Sequence, residues 1–358
     1  MSATTKVGNA NQKSLLFAVA AVLRVFLVLA FPGLPDLLTG RVEVSTPVNS
    51  FKRLQEGVFL YERGLDPYDG GIFHQAPLLL PIFSLLPASS TWLGRLVSVL
   101  LYTGLDVLIG DNLYGIAASG AAHTSRLEES PDAQGKPMAL DQRNQASAIA
   151  FGLRLFGTFA VSVAFLFGLS RLILPSWSFI PSVYLTPLTL PDLTPNPGLW
   201  WYFFIEMFDA FRSFFLGVFW LHMLSYSVPF CLRFRKQPLA AVVFMMGTIA
   251  IFEPYANIAD VGAWLSSLTL LSHTFELAST HRYTFPALAA LLYTTLLGPA
   301  FHHLWIYAGS GNANFFYAIT LVWALALLIL MTDTVYSVLR DEWETERPEG
   351  KGKEVRQI

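Results

Sequence analysis

Two hydrophobic runs near the carboxyl end, residues 284–308 and 315–339, are separated by only the six residues 309–314. A helix of about 20 apolar residues can span the hydrocarbon core of a bilayer. A six-residue link is too short to leave the membrane region. The pattern therefore predicts two transmembrane helices joined at one membrane interface, with Asn312 and Asn314 in the link.

The two link asparagines allow two interpretations. Their carboxamides offer neutral donors and acceptors that suit a phosphate, a sugar hydroxyl or an amide. Aromatic residues, which prefer the interface, flank the link on both sides. Asparagine is equally typical of a simple turn, because it tolerates left-handed backbone. Both interpretations stay open from the local sequence.

Composition excludes a soluble enzyme, because 54% of the residues are hydrophobic and only 13% are charged, against roughly 25% charged in soluble domains. The net charge of −2 gives no reason to expect a nucleic acid partner. Cys231 is the only cysteine, so no internal disulfide or cysteine-based metal site is expected. His302 and His303 are adjacent, so they point in different directions on a helix and make a poor metal pair. The chain contains no glycine-rich phosphate loop, and we expect no cofactor.

Apolar runs elsewhere raise the predicted number of spans to about eight, in an all-α, polytopic membrane helical bundle that forms a single multi-pass domain over 1–358. The further runs are 14–31, 92–110, 148–174, 199–232, 239–252 and 258–277. The intervening polar segments are predicted to be a lumenal loop (33–75), a flexible cytosolic loop (111–147) and a cytosolic tail (340–358). Six prolines rule out a continuous helix over 175–198. The 199–232 run is too long for one untilted span, so we expect it to begin as an interfacial aromatic segment.

Lys and Arg in the short loops predict the orientation, because such residues favour the cytosolic side. With a cytosolic amino terminus, the short links 175–198, 253–257 and 309–314 lie on the opposite side and contain no Lys or Arg. Both termini are then cytosolic. The 33–75 loop and the three short links share the other face.

Two groups of polar residues at membrane depth call for an explanation, since charges there are costly. Glu206, Asp209 and Arg212 have helical spacing. They form either an internal ion pair or a polar face of the kind that a transporter or flippase would use. Around Pro254, the residues Glu253, Tyr255, Asn257 and Asp260 suggest a polar or lipid-headgroup cavity, because a broken helix is tolerated where it lines one.

Three long blocks, residues 41–83, 191–215 and 302–321, closely resemble the PIG-U subunit of GPI transamidase. The resemblance implies a non-catalytic subunit of the endoplasmic reticulum membrane that helps recognise the GPI lipid during attachment of GPI anchors to proprotein C-termini. Its implied partners are a catalytic cysteine-protease-like subunit and the PIG-T, PIG-S and GPAA-type subunits. With it, GPI-lipid contacts are expected at Asn312, Asn314, Tyr255, Asn257 and Asp260. Around residues 120–150 this chain departs from the family, as if spans had been deleted.

The same family is similar to the GT-C glycosyltransferases, including a GPI mannosyltransferase, and a GT-C-like bundle is expected. Those enzymes place an acidic pair in the first lumenal loop. Here the stretch Arg41-Val42-Glu43-Val44 offers one carboxylate, which provides neither a metal clamp nor an acid/base pair. A dolichyl-phosphate-mannose-dependent transferase is therefore the alternative function.

Overall fold

The computed structural model describes residues 3–88, 90–119, 145–350 and 352–353, and these residues contain helices but no β-strand. The helices are α1 (Ala3–Ala30), α2 (Gly33–Thr39), α3 (Phe51–Glu62), α4 (Leu79–Ser84), α5 (Trp92–Ser119), α6 (Gln145–Ile173), α7 (Thr186–Thr189), α8 (Trp200–Glu206), α9 (Asp209–Ser225), α10 (Ser227–Arg233), α11 (Pro238–Phe252), α12 (Ile258–Ser267), α13 (Phe275–Ser279), α14 (Thr284–Ile306) and α15 (Ala313–Glu346). One π-helical turn (Ile180–Leu185) precedes α7, and 3₁₀ turns follow α12 and α15.

Six helical segments in the described part of the chain are long and apolar enough to cross a membrane: Gln12–Ala30, Trp92–Ser119, Ala150–Ile173, Asp209–Arg233, Thr284–Ile306 and Ala313–Glu346. They confirm a polytopic all-α membrane protein. The 199–232 run is divided into two helices: the short helix α8 ends at Glu206, and the long segment begins at Asp209.

Two of the eight predicted spans take a different form. Helix α11 has 15 residues, which corresponds to about 22 Å against a hydrocarbon core of about 30 Å. Eight of its residues are buried, so it lies in the core of the bundle, where it connects the end that carries Arg233 and Lys236 with the end that carries Glu253. The 258–277 run is not one helix, because α12 gives way to a 3₁₀ turn in which Leu271 has non-helical angles (φ −102°, ψ 22°). Hydropathy alone does not separate such buried helices from spans, since both environments are apolar.

The main core lies where α11 and α12 pack against α14 and α15, which form the predicted hairpin. Trp264 of α12 is fully buried there against Gly247 of α11, and a Cβ at position 247 would lie 2.6 Å from the indole ring. A glycine is thus required for this close approach. Phe244 and Leu327 fill the same core.

Helix α1 joins α5 through two ion pairs. Lys13 contacts Asp111 at 2.6 Å, and Arg24 pairs with Asp106. Pairing of this kind is what a charge at membrane depth requires. Helix α5 continues to Ser119 instead of ending near residue 110, so the first part of the predicted 111–147 loop is helical. Residues 120–144 of that loop lie outside the described residues.

The carboxyl-terminal end of α15 packs beside the basic residues that follow α10. Arg233 contacts Glu342 at 2.7 Å, and Lys236 contacts Glu346 at 3.2 Å. Helix α15 ends at Glu346, so the first part of the predicted 340–358 tail is helical. These pairs mark the end of the bundle that the charge bias assigns to the cytosol.

Candidate functional site

The four connections that the sequence places on one face meet at one end of the bundle, and we call residues 33–75, 175–198, 253–257 and 309–314 the loop cap. The backbone N–H of Ile258 donates to the carbonyl of Glu43 at 2.9 Å. The Trp200 indole N–H donates to the Phe252 carbonyl at 2.7 Å. These bonds join segments distant in sequence into one layer.

An ion pair between Arg53 and Asp192 holds two parts of the loop cap together. Arg53 Nη2 lies 3.2 Å from Asp192 Oδ2, while Nη1 donates to the Ile72 carbonyl at 3.1 Å. Burial alone would raise the pKa of the Asp192 carboxyl, but hydrogen bonds from Thr194 and Arg53 outweigh it and hold that pKa below its ordinary value. The carboxylate is therefore ionised at neutral pH and fixes the proline-rich connection against the 33–75 loop.

Asn312 and Asn314 are both exposed at the start of α15. Asn312 is the N-cap of this helix, and its side-chain oxygen accepts from the Asn314 N–H at 3.0 Å. The Oδ1 of Asn314 accepts from the Tyr202 hydroxyl. Each side chain thus uses its oxygen within the protein, and the exposed position of both residues leaves their amide N–H groups accessible to a ligand. The turn and binding interpretations are compatible.

Aromatic rings form a wall behind the asparagines. The rings of Tyr202 and Tyr317 stack with centroids 4.5 Å apart. Trp201 stacks on Trp305 at 6.1 Å. Trp201 is 1% exposed, and its indole nitrogen has no hydrogen-bond partner among the described residues. From the sequence alone these aromatic residues are expected to be interfacial anchors, and Tyr202 is not among the predicted site residues. The signal available was the aromatic run at the start of α8.

The second predicted group, around Pro254, is divided between the interior and the surface. Asn257 is 4% exposed and caps α12, since its side-chain oxygen accepts from the N–H groups of Ala259 (2.8 Å) and Asp260 (3.1 Å). Tyr255 is 2% exposed, and burial raises the pKa of its phenol to about 12. Asp260 is exposed in the first turn of α12. Of these three predicted contacts, only Asp260 meets the surface.

Glu253 lies between the buried and exposed members of this group. Burial, together with the nearby Asp260 carboxylate, raises the pKa of Glu253 to about 9. Glu253 is therefore protonated at neutral pH, so it adds a hydrogen-bonding group to this region and not a charge.

Glu43 is the lone carboxylate in the stretch where an acidic pair would be expected from the similarity to GT-C glycosyltransferases. Its side chain is bound by Arg41. The Arg41 Nε lies 3.1 Å from Glu43 Oε2 and Nη2 lies 3.0 Å from Oε1. Arginine bound in this two-point fashion fixes the carboxylate geometrically. A carboxylate so engaged is poorly suited to act as a base.

The Glu206, Asp209 and Arg212 group is not an ion pair. Helix α8 ends at Glu206, where Met207 adopts extended backbone, so the three residues do not share one continuous helix. Arg212 instead donates to the carbonyl of Leu190, whose φ is +49°. Among the described residues, no salt bridge joins any two of Glu206, Asp209 and Arg212.

A groove of about 430 Å³ opens directly beneath the loop cap. Arg41 and Glu43 are among its lining residues, and α14 and α15 supply much of the remainder through residues such as Thr294, Gly298 and Thr320. Pockets of this size are typical of sites for small molecules or lipids.

Comparison with known proteins gives consistent matches. The family described as GPI transamidase subunit PIG-U matches residues 18–140 and 136–323. GPI transamidase component GAB1 of Saccharomyces cerevisiae is 32% identical over 381 residues, covering 90% of this chain and 93% of that protein. The GAB1 homolog of Schizosaccharomyces pombe is 31% identical over 393 residues (92% and 94%). GPI-anchor transamidase component PIGU of Homo sapiens is 27% identical over 413 residues (92% and 94%).

Each of these alignments is longer than this chain, which has 358 residues. The relatives therefore carry residues within the matched region that this chain lacks. The two family segments meet at residues 136–140, inside the stretch where the sequence indicates an internal deletion.

Proposed function

Since this chain belongs to the PIG-U family of GPI transamidase subunits, we propose that it binds the GPI lipid at the loop cap while another subunit performs the chemistry. The chain is a multi-pass membrane subunit of the machinery that attaches GPI anchors. In this proposal Asn312 and Asn314 donate amide hydrogen bonds to the glycan or phosphate groups of the lipid. Asp260, which is exposed in the first turn of α12, is in this proposal a further acceptor for hydroxyl groups or the ethanolamine amine.

The observation that carries the proposal is the convergence of four sequence-distant connections on one end of the bundle. That end presents two exposed carboxamides, with an aromatic wall behind them, and an apolar groove beneath it. An amphiphilic glycolipid needs polar groups at the interface and apolar surface below it. The loop cap offers both.

A non-catalytic role agrees with the state of the reactive groups. Glu43 is engaged by Arg41, and Cys231 is exposed on α10, near the Arg233–Glu342 pair at the opposite end of the bundle. A cysteine there lies far from the loop cap. The mannosyltransferase alternative is not favoured by the comparisons, whose named relatives are transamidase components.

We further propose that the chain resides in the endoplasmic reticulum membrane with both termini cytosolic and the loop cap lumenal. Its partners in this proposal are the catalytic cysteine-protease-like subunit and the PIG-T, PIG-S and GPAA-type subunits. The distribution of Lys and Arg supports the orientation. In a Cys231→Ser background, a membrane-impermeant thiol reagent should reach Asn312→Cys only after the lumen is opened, and Lys236→Cys in sealed microsomes. Cytosolic labelling of position 312 would overturn the topology.

The binding proposal is tested with the double variant Asn312→Ala/Asn314→Ala in the assembled complex. We expect less GPI precursor to co-purify and a lower rate of anchor attachment, while the other subunits still co-purify in full. Asn112→Ala on the exposed face of α5 serves as the matched control. Transamidation by the double variant at the control rate would count against the proposal.

A further inference from the structure

We propose that residues 190–198, which we call the strap, form a lid over Tyr255 and Glu253 that opens to admit a hydroxyl-bearing group of a ligand. The opening itself is independent of the proposed function, whereas the identity of the ligand as a glycolipid rests on it. The strap joins α7 to α8 and contains no helical residue. It has few backbone donors with which to anchor itself, because three of its residues are prolines: Pro191, Pro195 and Pro197.

Side chains from other segments hold the strap closed. Arg53 of α3 pairs with Asp192 at 3.2 Å, and Arg212 of α9 donates to the Leu190 carbonyl. Among the described residues, one hydrogen bond between two backbone groups involves the strap, from the Leu190 N–H to the Thr186 carbonyl at 2.9 Å. A segment with so few backbone hydrogen bonds opens locally at a lower free energy than the helices around it.

The strap covers the link between α11 and α12. Leu190 belongs to the same buried apolar cluster as Tyr255, and Tyr255 is 2% exposed. At the other end of the strap, a Cβ on Gly198 would lie 3.0 Å from the Ala256 Cβ and 3.3 Å from the Glu253 carbonyl oxygen. Opening of the strap therefore uncovers this link.

Two polar side chains of the covered link lack partners while the strap is closed. The Tyr255 hydroxyl and Oε1 of Glu253 are buried, and neither atom makes a hydrogen bond within the described part of the chain. A buried polar group left unpaired destabilises the state that buries it. Water or a ligand can bond both atoms once the strap opens. A hydroxyl-bearing ligand suits them, because a phenol and a neutral carboxyl group each donate and accept.

Leu190 is the hinge of the lid. Its φ is +49°, and it is the one non-glycine residue with a positive φ in the part of the chain that the structure describes. This backbone region is strained for a leucine. Rotation at Leu190 relieves the strain once Arg212 releases the carbonyl. Burial of the Leu190 side chain and the Arg53–Asp192 ion pair act in the opposite direction and favour the closed state.

Hydrogen exchange of the assembled complex, measured by mass spectrometry without added ligand, tests the opening. Asp192→Asn removes the charge that Arg53 binds. We expect exchange in peptides covering 188–199 and 253–257 to rise together, about fivefold. Asp69→Asn, at an exposed carboxylate of the 33–75 loop, is the control and should leave both peptides unchanged. Faster exchange at 188–199 alone would show that the strap does not cover the link, and would overturn the lid.

Tyr255→Phe should shift the same equilibrium in the opposite direction. It removes the unpaired hydroxyl and so stabilises the closed state, and we expect exchange at 188–199 to fall about fivefold. A substitution that only loosened the packing would raise exchange instead. Faster exchange in Tyr255→Phe would mean that the hydroxyl is bonded in the closed state, which contradicts the lid.

The water-soluble glycan released from a GPI precursor is the ligand probe. Glycan bound beneath the open strap should raise exchange at 188–199 and lower it at 253–257. If glycan leaves 188–199 unchanged while Asn312→Ala/Asn314→Ala lowers lipid capture, the lid is overturned as a ligand gate and the proposed function stands. If glycan shifts both peptides while that double variant captures lipid at the control level, the asparagine site fails and the lid stands.

Discussion

The Tyr202 hydroxyl donates a hydrogen bond to Oδ1 of Asn314, a residue 112 positions later in the chain. The bond fixes the Asn314 carboxamide so that its oxygen faces the aromatic wall. Stacking of Tyr202 on Tyr317 holds the donor in turn. The orientation of the proposed ligand donor is therefore set before a ligand arrives.

Tyr202→Phe should weaken GPI capture while retaining the aromatic wall. The change removes one hydrogen bond, worth about 1 kcal/mol, so we expect capture to fall about fivefold, less than in Asn314→Ala. The measurement is the amount of GPI precursor bound to the purified complex across a lipid titration. Tyr336→Phe, on α15 at the opposite end beside His281, is the control. Equal capture by Tyr202→Phe and the control would show that the bond does not position Asn314 for a ligand.

Asn312 has a capping role and a proposed binding role, and two substitutions separate them. Serine also accepts from an N-terminal helix N–H but lacks the amide donor, whereas alanine lacks both. Asn312→Ala should lower stability by about 1 kcal/mol and Asn312→Ser by a few tenths, measured as the apparent melting temperature in detergent. Both should lower GPI capture. Full capture by Asn312→Ser would assign Asn312 to the helix cap alone.

Six of the eight predicted spans and the convergence of the loops were predictable, because apolar run length and the placement of Lys and Arg report directly on the bilayer. The position of α11 was not, since a run of this kind is equally apolar in lipid and in a protein core. The cap at Asn257 had a visible signal, an asparagine followed three residues later by Asp260. From the sequence, the amide of Asn257 is instead expected to contact a ligand. The groove is formed by residues 37–44 together with α14 and α15. No local sequence pattern reveals that these segments lie together.

Replacing two helical glycines by alanine should have different effects on the stability of the protein. At Gly247 the new methyl group would lie 2.6 Å from the buried Trp264 ring, so Gly247→Ala should destabilise the protein by about 1–3 kcal/mol. At Gly262 nothing lies within 4 Å, so Gly262→Ala should be neutral or stabilise α12 by up to about 1 kcal/mol through helix propensity. Thermal unfolding in detergent compares the two. Equal melting temperatures would contradict the close packing of α11 on α12.

Glu253 should give the protein a measurable pH dependence. Its pKa is raised from 4.5 to about 9 by burial and by Asp260, so the folded state keeps a proton that the unfolded state has lost over that interval. The free energy of unfolding then falls as the pH rises from about 4.5 to 9, and this contribution is constant below and above the interval. At pH 7 the loss relative to low pH is of the order of 3 kcal/mol.

Glu253→Gln supplies the neutral form permanently and so removes this dependence. We expect the variant to melt higher than the unsubstituted protein at pH 8 and at nearly the same temperature at pH 5, with the difference growing steadily between them. Glu56→Gln, at an exposed carboxylate of α3, is the control and should show no such divergence. A difference between Glu253→Gln and the unsubstituted protein that stays constant from pH 5 to pH 8 would mean that Glu253 is ionised in the folded state. In that case Glu253 would add a negative charge beside Asp260, and this charge would repel the phosphates of a lipid head group.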